Sequence, residues 1–171
     1  LDLVLSAVYD GRPNDFYWGT GNGSFTLDSY HAGITTTNGW GMAAADFDHD
    51  GDVDLFSERV FRNDIPNQNK GHWLQVHVTG ATANNAAIGS TVRVTTGTTT
   101  RMRHVQGGTG KGGQDSLYLH FGLATATTVD EISVTFPGGH TVTFAGPFAV
   151  DQRLFVKEDV ASPVAAWAPP F

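Results

Sequence analysis

The stretch Asp46–Phe56 reads DFDHDGDVDLF and carries aspartate at five alternate positions within nine residues. Five carboxylates repel one another when a loop folds, so this part of the chain needs a neutralising partner. The stretch runs directly into the apolar residues Leu55 and Phe56, which is typical of a loop entering a strand and not of a disordered acidic tract. The pattern therefore indicates a folded loop that binds a cation.

The spacing of the loop suits a hard divalent cation. Asp46, Asp48 and Asp50 occupy positions 1, 3 and 5, and Gly51 at position 6 permits a sharp turn. Calcium takes roughly six to eight oxygen ligands, and alternate residues of a tightly wound loop can direct their carboxylates at one centre. Magnesium fits less well, because it requires near-ideal octahedral geometry and retains its waters. We therefore predict that the loop binds Ca²⁺.

Two further aspartates complete the predicted site. Asp52 lies at position 7, where its backbone carbonyl can face the ion while its side chain faces solvent, and Asp54 lies at position 9. An EF-hand needs a bidentate glutamate at position 12, where this chain has Ser57, so we predict a shorter loop that closes between two strands. The predicted metal-binding residues are Asp46, Asp48, Asp50, Asp52 and Asp54.

The second half of the chain alternates apolar and polar residues with a period of two. The runs are HWLQVHVTG at 72–80, STVRVTT at 90–96, SLYLHFGL at 116–123, DEISVTFPGG at 130–139, HTVTF at 140–144 and RLFVKE at 153–158. Such runs, bounded by Gly, Pro or Asn, indicate short strands with one buried face, and PGGH at 137–140 has the length of a hairpin turn. We predict an antiparallel β-sandwich or barrel over residues 67–159. The expected core residues are Leu74, Val76, Val92, Val94, Leu119, Phe121, Ile132 and Val134.

Residues 1–66 differ in composition, being rich in aromatic residues and asparagine, and they contain a weak internal repeat. LDLVLS at 1–6 resembles VDLFSE at 53–58, which places Asp2 and Asp54 at matching positions. A repeat of this length is typical of propeller blades or repeat arrays. One and a half copies cannot bury their faces alone. We therefore expect this region to be the C-terminal part of something longer, or to have its open edge covered by a partner.

Two segments resemble an FG-GAP/VCBS repeat, the blade unit of integrin-type β-propellers. GMAAADFDHDGDVDLF at 41–56 is similar to the calcium-loop segment, and NDFYWGTGNGSFTLDSYHAG at 14–33 is similar to the second half of the preceding repeat. The resemblance implies that Asp2 is the last ligand position of an upstream loop. It also implies that residues 1–66 form partial β-propeller-type blade repeats.

The remainder resembles the ASPIC/UnbV domain, which follows such repeats in cartilage acidic protein and in bacterial secreted relatives. Phe136 stands where tryptophan is expected before proline, and Ala124 stands where glycine is common, but these differences affect packing and turns. Pattern and resemblance together predict an all-β chain, with calcium-loop blades followed by an antiparallel β-sandwich or barrel. The similar blocks, in the family's order, are GHWLQVHVTG, NNAAIGSTVRV, GGTGKGGQ, LHFGL and VDEISVTFPGG.

Composition narrows the classes of partner. A formal net charge of −7 makes nucleic acid and anionic membrane surfaces poor partners, and the sequence lacks the run of about 18 apolar residues that a membrane span needs. Cysteine is absent, so disulfides play no part. The resemblance implies a calcium-binding module without catalytic activity that is secreted or lies at the cell surface. Its expected role is adhesion or assembly, with a protein or glycan ligand.

Two alternative functions remain open. The chain can be a structural subunit that self-associates and polymerises through its open blade edge and its tail, or an accessory binding module of a larger secreted enzyme. The tail at 160–171 is apolar and proline-rich. It is either an extended tail or an arm that docks onto a neighbouring surface through Trp167 and Phe171.

Two other features could indicate binding of a phosphate or of a glycan. GGTGKGG at 107–113 lacks the first glycine and the final Ser or Thr of a phosphate-binding loop, so we predict a glycine-rich hairpin. A set of basic residues can bind a sulfated or carboxylated glycan, although such a set is more often the polar face of a strand pair. This set is Arg93, Arg101, Arg103, His104 and Lys111.

Overall fold

The computed structural model describes residues 2–82 and 84–165, and the described residues form strands, turns and one short 3-10 turn. The predicted all-β class is confirmed, and the described part of the chain holds no helix that could cross a membrane. Trp167 and Phe171 of the tail lie outside the described residues. The strands are β1 (Leu3–Leu5), β2 (Asp15–Gly19), β3 (Phe25–Leu27), β4 (Ala43–Ala45), β5 (Asp54–Ser57), β6 (Arg59–Phe61), β7 (His72–Thr79), β8 (Thr91–Thr96), β9 (Thr99–His104), β10 (Tyr118–Ala124), β11 (Thr128–Thr135), β12 (Thr141–Ala149), β13 (Gln152–Lys157) and β14 (Val164–Ala165), and the 3-10 turn is Asn67–Asn69.

The chain divides into two compact units. The first comprises Leu1–Asp64 with Gly108–Ser116, and the second comprises Ile65–Gly107 with Leu117–Phe171. The chain therefore leaves the second unit once and returns to it. The predicted domain boundaries after residues 66 and 159 stay predictions.

The second unit is a β-sandwich. Its four-stranded sheets are ordered β10-β7-β13-β14 and β12-β11-β8-β9, and they share one hydrophobic core. All eight core residues expected from the sequence are buried. Each buried Val or Leu contributes about 1.5–3 kcal/mol, so this core is the main source of the unit's stability. Within the described residues neither sheet closes into a barrel.

Most neighbouring strands are antiparallel, as the sequence predicts. The 137–140 turn joins β11 to β12, and Gly138 and Gly139 supply its positive φ angles of 96° and 93°. The exception is β13, which runs parallel to β7 with Leu154 opposite Val76. The chain reaches β13 from the opposite sheet, so the two strands can share a direction. Alternation marks the buried face of a strand and not its direction, which is why the sequence does not reveal this pairing.

The first unit contains two three-stranded antiparallel sheets, ordered β1-β2-β3 and β4-β5-β6. Ile34 is the one buried apolar side chain among its described residues, whereas many of its large apolar side chains are exposed. β1 and β5 occupy matching places in the weak sequence repeat. This unit therefore lacks the kind of core that stabilises the sandwich.

A buried polar network occupies the centre of the first unit instead. Asn14 is fully buried, and its Nδ2 donates to Thr36 Oγ1 at 2.7 Å and to Ser57 Oγ at 3.3 Å. Its Oδ1 accepts from the Ala7 backbone N at 3.0 Å. A side chain at Gly39 would collide with Ser57 Oγ. Because buried polar groups are costly unless they are paired, this network fixes the segments that follow β1 against β5.

Candidate metal centre

The aspartate loop joins β4 to β5, and Ala45 pairs with Asp54 where the loop closes. The prediction of a short loop between two strands is therefore confirmed. His49 and Gly51 have positive φ angles of 66° and 93°, and these two left-handed residues wind the chain tightly. Glycine adopts this conformation without steric cost, whereas histidine does not.

Winding brings three of the five aspartates together. Carboxylate oxygens of Asp46, Asp48 and Asp50 all lie within 4.8 Å of one another. At that separation each pair of charges repels by about 1 kcal/mol, even in a water-like dielectric. The loop thus concentrates negative charge at one point, as the alternate spacing predicts.

An oxygen of Asp48 gives a direct test of whether the residues fit a metal. Asp48 Oδ1 is buried and has no hydrogen-bond partner among the described atoms. A buried acceptor without a donor is costly, and a hard divalent cation would satisfy this oxygen. The donor set consists of carboxylates, which are the ligands that calcium prefers. The residues therefore fit calcium.

Hydrogen bonds within the loop hold Asp46 and Asp50, the other two members of the cluster, in place. Asp46 Oδ2 accepts from the Gly51 backbone N at 3.3 Å. Asp50 Oδ1 accepts from the Asp52 backbone N at 2.9 Å. Each bond engages one carboxylate oxygen, and an ionised carboxylate has further lone pairs that can accept.

Asp54 has a different role in the loop. It is almost completely buried; its Oδ2 accepts from Phe47 N at 3.0 Å, and its Oδ1 accepts from Asn63 N at 2.8 Å. Burial raises the pKa of Asp54, and the two backbone N–H groups partly oppose that rise. Asp54 therefore ties the start of the loop to the chain that follows β6.

Asp2 repeats this arrangement in the preceding repeat. Its Oδ1 accepts from the Gly19 backbone N at 2.9 Å, and Gly19 ends the strand that pairs with β1. Asp2 stands just before β1 and holds the last residue of β2, and Asp54 stands at the start of β5 and holds Asn63, two residues after β6. The internal repeat in the sequence thus corresponds to a shared local structure.

The expectation that the Asp52 side chain faces solvent is wrong, because Asp52 is only 8% exposed. Gly51 explains the difference, since its left-handed φ interrupts the alternation of sides on which the expectation depended. Three of the five predicted metal residues therefore form the cluster. Asp54 instead holds the backbone at Phe47 and Asn63, and Asp52 is buried in the same loop. Their roles as ligands stay predictions.

Sequence reasoning missed one residue of the site. Arg62, just after β6, places its Nη1 3.6 Å from Asp48 Oδ2. It lies outside the alternating motif, and its approach depends on how β6 pairs with β5. No local signal in the sequence could have identified it.

The glycine-rich hairpin is confirmed, and it belongs to the first unit. Thr109 N donates to Gly113 O at 3.0 Å, and Gly110 and Gly113 form an isolated bridge. The Lys111 ammonium lies 4.1 Å from the centroid of the Trp40 ring. Lys111 therefore makes a cation–π contact there, which differs from the phosphate contact of a phosphate-binding loop.

The basic set does not form one patch. Arg101 and Arg103 on β9 pair with Val94 and Val92, whose side chains lie in the core, so both arginines are on the inner face of the sheet. Arg103 stands over the Phe121 ring at 5.7 Å, and burial lowers its pKa. The predicted polar strand face is therefore wrong for these two residues. Arg93 and His104 lie on the opposite face, and Lys111 is part of the other unit.

Two family models match the chain. The model described as FG-GAP-like repeat matches residues 1–57, and the model described as ASPIC and UnbV matches residues 80–163. No curated protein matches the chain. FG-GAP-like repeat sequence is thus followed by an ASPIC/UnbV domain, in the order that the sequence blocks indicate.

Proposed function

We propose that this chain, in which an FG-GAP-like repeat region precedes an ASPIC/UnbV domain, is a calcium-binding extracellular module without catalytic activity that serves adhesion or assembly. FG-GAP repeats often bind calcium and are typically extracellular. The single observation that carries the proposal is the cluster of Asp46, Asp48 and Asp50 around a buried, unsatisfied Asp48 oxygen.

In this proposal the three clustered carboxylates bind the ion, and the Asp52 carbonyl completes the set from the backbone. Asp54 keeps the loop closed and can contribute a remaining lone pair. Calcium in such a loop cancels the repulsion between carboxylates that folding has brought together. Extracellular calcium modules often have dissociation constants of about 0.1–1 mM, which is the range that we propose here.

The adhesion or assembly role is supported by an exposed apolar face in the first unit. Cross-strand pairing places Leu3, Leu5, Phe25 and Leu27 on one side of sheet β1-β2-β3, and they are 41%, 46%, 46% and 54% exposed. On the central strand of the same face, Tyr17 lies between Leu3 and Leu27, and exposed apolar surface of this kind often marks an interaction site. We propose a protein or glycan partner at a cell surface, and a secreted or surface location.

Calorimetric titration with calcium tests the proposal. We expect the protein to bind one calcium ion, Asp48→Ala to abolish binding, and Asp10→Ala to leave it unchanged. Asp10 is exposed and lies in the same unit outside the loop, so it controls for the loss of one negative charge. Absence of binding by the unaltered protein at several millimolar calcium, or equal binding by Asp48→Ala, would contradict the proposal.

A second candidate function is self-association, since β1 lies at the edge of its sheet in the described structure. An edge strand offers unpaired N–H and C=O groups to another strand. Light scattering over a wide concentration range tests this candidate. A molecular mass that rises with concentration supports it, and a constant monomer mass excludes it.

A further inference from the structure

We propose that Arg62 is a built-in counter-ion of the aspartate loop, which holds the loop together without calcium and sets how tightly the loop binds calcium. This inference rests on the calcium binding proposed above. It assigns a specificity-determining role to a residue outside the aspartate motif.

The contacts of Arg62 place its charge beside the cluster. Its Nη1 lies 3.6 Å from Asp48 Oδ2, while its Nη2 lies 2.7 Å from Asp64 Oδ1. Asp64 thus holds one side of the guanidinium group, and the other side faces the loop. The second oxygen of Asp48, Oδ1, is buried without a hydrogen bond. Arg62 therefore engages one oxygen of Asp48 and leaves the other for a cation.

The position of Arg62 is fixed by the loop itself. The next residue, Asn63, donates its backbone N to Asp54 Oδ1 at 2.8 Å and its Nδ2 to Val53 O at 3.3 Å. These two bonds hold the chain after β6 against the start of β5. Because the anchor is one residue away, the backbone of Arg62 is held close to the loop, and its half-exposed side chain reaches Asp48 and Asp64.

The positive charge of Arg62 affects how strongly the negatively charged cluster binds a cation. Asp46, Asp48 and Asp50 bring three negative charges to the cluster, and Arg62 brings one positive charge to its rim. A positive charge beside the cluster weakens the binding of a divalent cation by roughly five- to fifteenfold at moderate salt. The effect on a trivalent cation is larger, because the Coulomb energy scales with ion charge.

Arg59, at the start of β6 and three residues before Arg62, provides a matched control. Its Nη2 donates to Thr35 Oγ1 at 3.3 Å, and its guanidinium group lies over the Phe61 ring at 5.3 Å. Substituting Arg59 removes the same charge from the same unit but leaves the contact with Asp48 intact. A difference between Arg62 and Arg59 variants therefore reports on the loop and not on net charge.

The test compares Arg62→Gln, Arg62→Lys and Arg59→Gln by calcium titration and by thermal unfolding in chelator. We expect Arg62→Gln to bind calcium roughly five- to fifteenfold more tightly than the unaltered protein. Arg62→Lys keeps the charge and should bind nearly as the unaltered protein does, and Arg59→Gln should change affinity much less. In chelator, Arg62→Gln should unfold at a lower temperature than Arg59→Gln. Titration with Tb³⁺ should show a larger gain in affinity for Arg62→Gln than calcium does.

The outcomes separate this inference from the proposed function. If the unaltered protein binds calcium while Arg62→Gln binds equally or more weakly, Arg62 is not the counter-ion and the calcium site stands. If no variant binds calcium, the proposed function itself fails. If Arg62→Gln is unfolded in chelator, its refolding in calcium supports the inference, and the midpoint of refolding reflects its affinity combined with its folding free energy. Failure of that variant to fold even in calcium would overturn the inference.

Discussion

Glu158 is a buried carboxylate that fixes the turn after β7. Its Oε2 accepts from the backbone N of Ala81 at 2.7 Å and of Thr82 at 2.9 Å, and its Oε1 accepts from Thr82 Oγ1 at 2.8 Å. The Ala81 and Thr82 hydrogen bonds lower the pKa of Glu158 from 4.5 to about 2. All three contacts favour the ionised form, so the protonation of Glu158 is coupled to folding.

The coupling predicts how the stability of the sandwich depends on pH. A carboxyl group whose pKa is lowered by folding stabilises the protein above its unfolded pKa, and that contribution is lost as pH falls through the folded pKa. Glu158→Gln should therefore be less stable than the unaltered protein at pH 7, and the difference should shrink between pH 4.5 and about 2. Urea denaturation at a series of pH values measures this difference. A gap that stays constant down to pH 2 would contradict the assignment.

Single residues differ in how well the sequence reveals them. Asp46, Asp48 and Asp50 could be predicted because their ligand spacing lies within one short segment. Arg62 and Asn14 could not, because each acts on residues that only the folded chain brings near. Asn14, for example, donates to Ser57, which is 43 residues away.

Among the elements, the hairpin at 108–116 packs directly against β4. Ser116 N donates to Ala44 O at 2.9 Å, and Ala44 N donates to Asp115 Oδ1 at 2.7 Å. The backbones approach so closely that a Cβ atom at Gly113 would overlap the Met42 carbonyl oxygen. The glycines of this hairpin therefore serve close packing against the repeat, which agrees with the exclusion of a phosphate-binding loop.

Close packing predicts the effect of a single methyl group. Gly113→Ala should destabilise the first unit by roughly 1–3 kcal/mol, because the backbone has to shift to accept the side chain. Gly110→Ala is the matched control, since a Cβ atom at Gly110 meets open space. Thermal unfolding and amide exchange at Ser116 measure the effect. Equal stability of the two variants would show that the hairpin does not depend on this approach.

β9 shows why one element escaped sequence analysis. Its sequence, TTRMRH at Thr99–His104, lacks the apolar alternation that marks strands such as β7, β8 and β11. Its inward positions carry Arg101 and Arg103, and Arg101 Nη1 donates to Thr96 Oγ1 at 2.9 Å. Arginine can place its aliphatic stem along a core while its charged group reaches a polar partner. Because arginines occupy the inward positions of this edge strand, its sequence shows no alternation of apolar and polar residues.

At the scale of the whole molecule, the two units are stabilised by different means. The sandwich has an extensive apolar core, and its strand faces could be predicted from period-two alternation. The first unit has Ile34 as its one described buried apolar residue and relies on the Asn14 network, on the hydrogen bonds of Asp2 and Asp54 and, in our proposal, on calcium. The calcium dependence of stability should therefore lie in the first unit.

Calorimetric unfolding in calcium and in chelator tests whether calcium bound at the aspartate loop stabilises the first unit. A ligand that binds only the folded state at a hundredfold excess over its dissociation constant adds about 2.7 kcal/mol of stability. We predict that calcium raises the unfolding temperature of the first unit, that the transition of the sandwich moves little, and that Asp48→Ala unfolds alike in both conditions. Superimposable unfolding curves of the unaltered protein in calcium and in chelator would contradict the account.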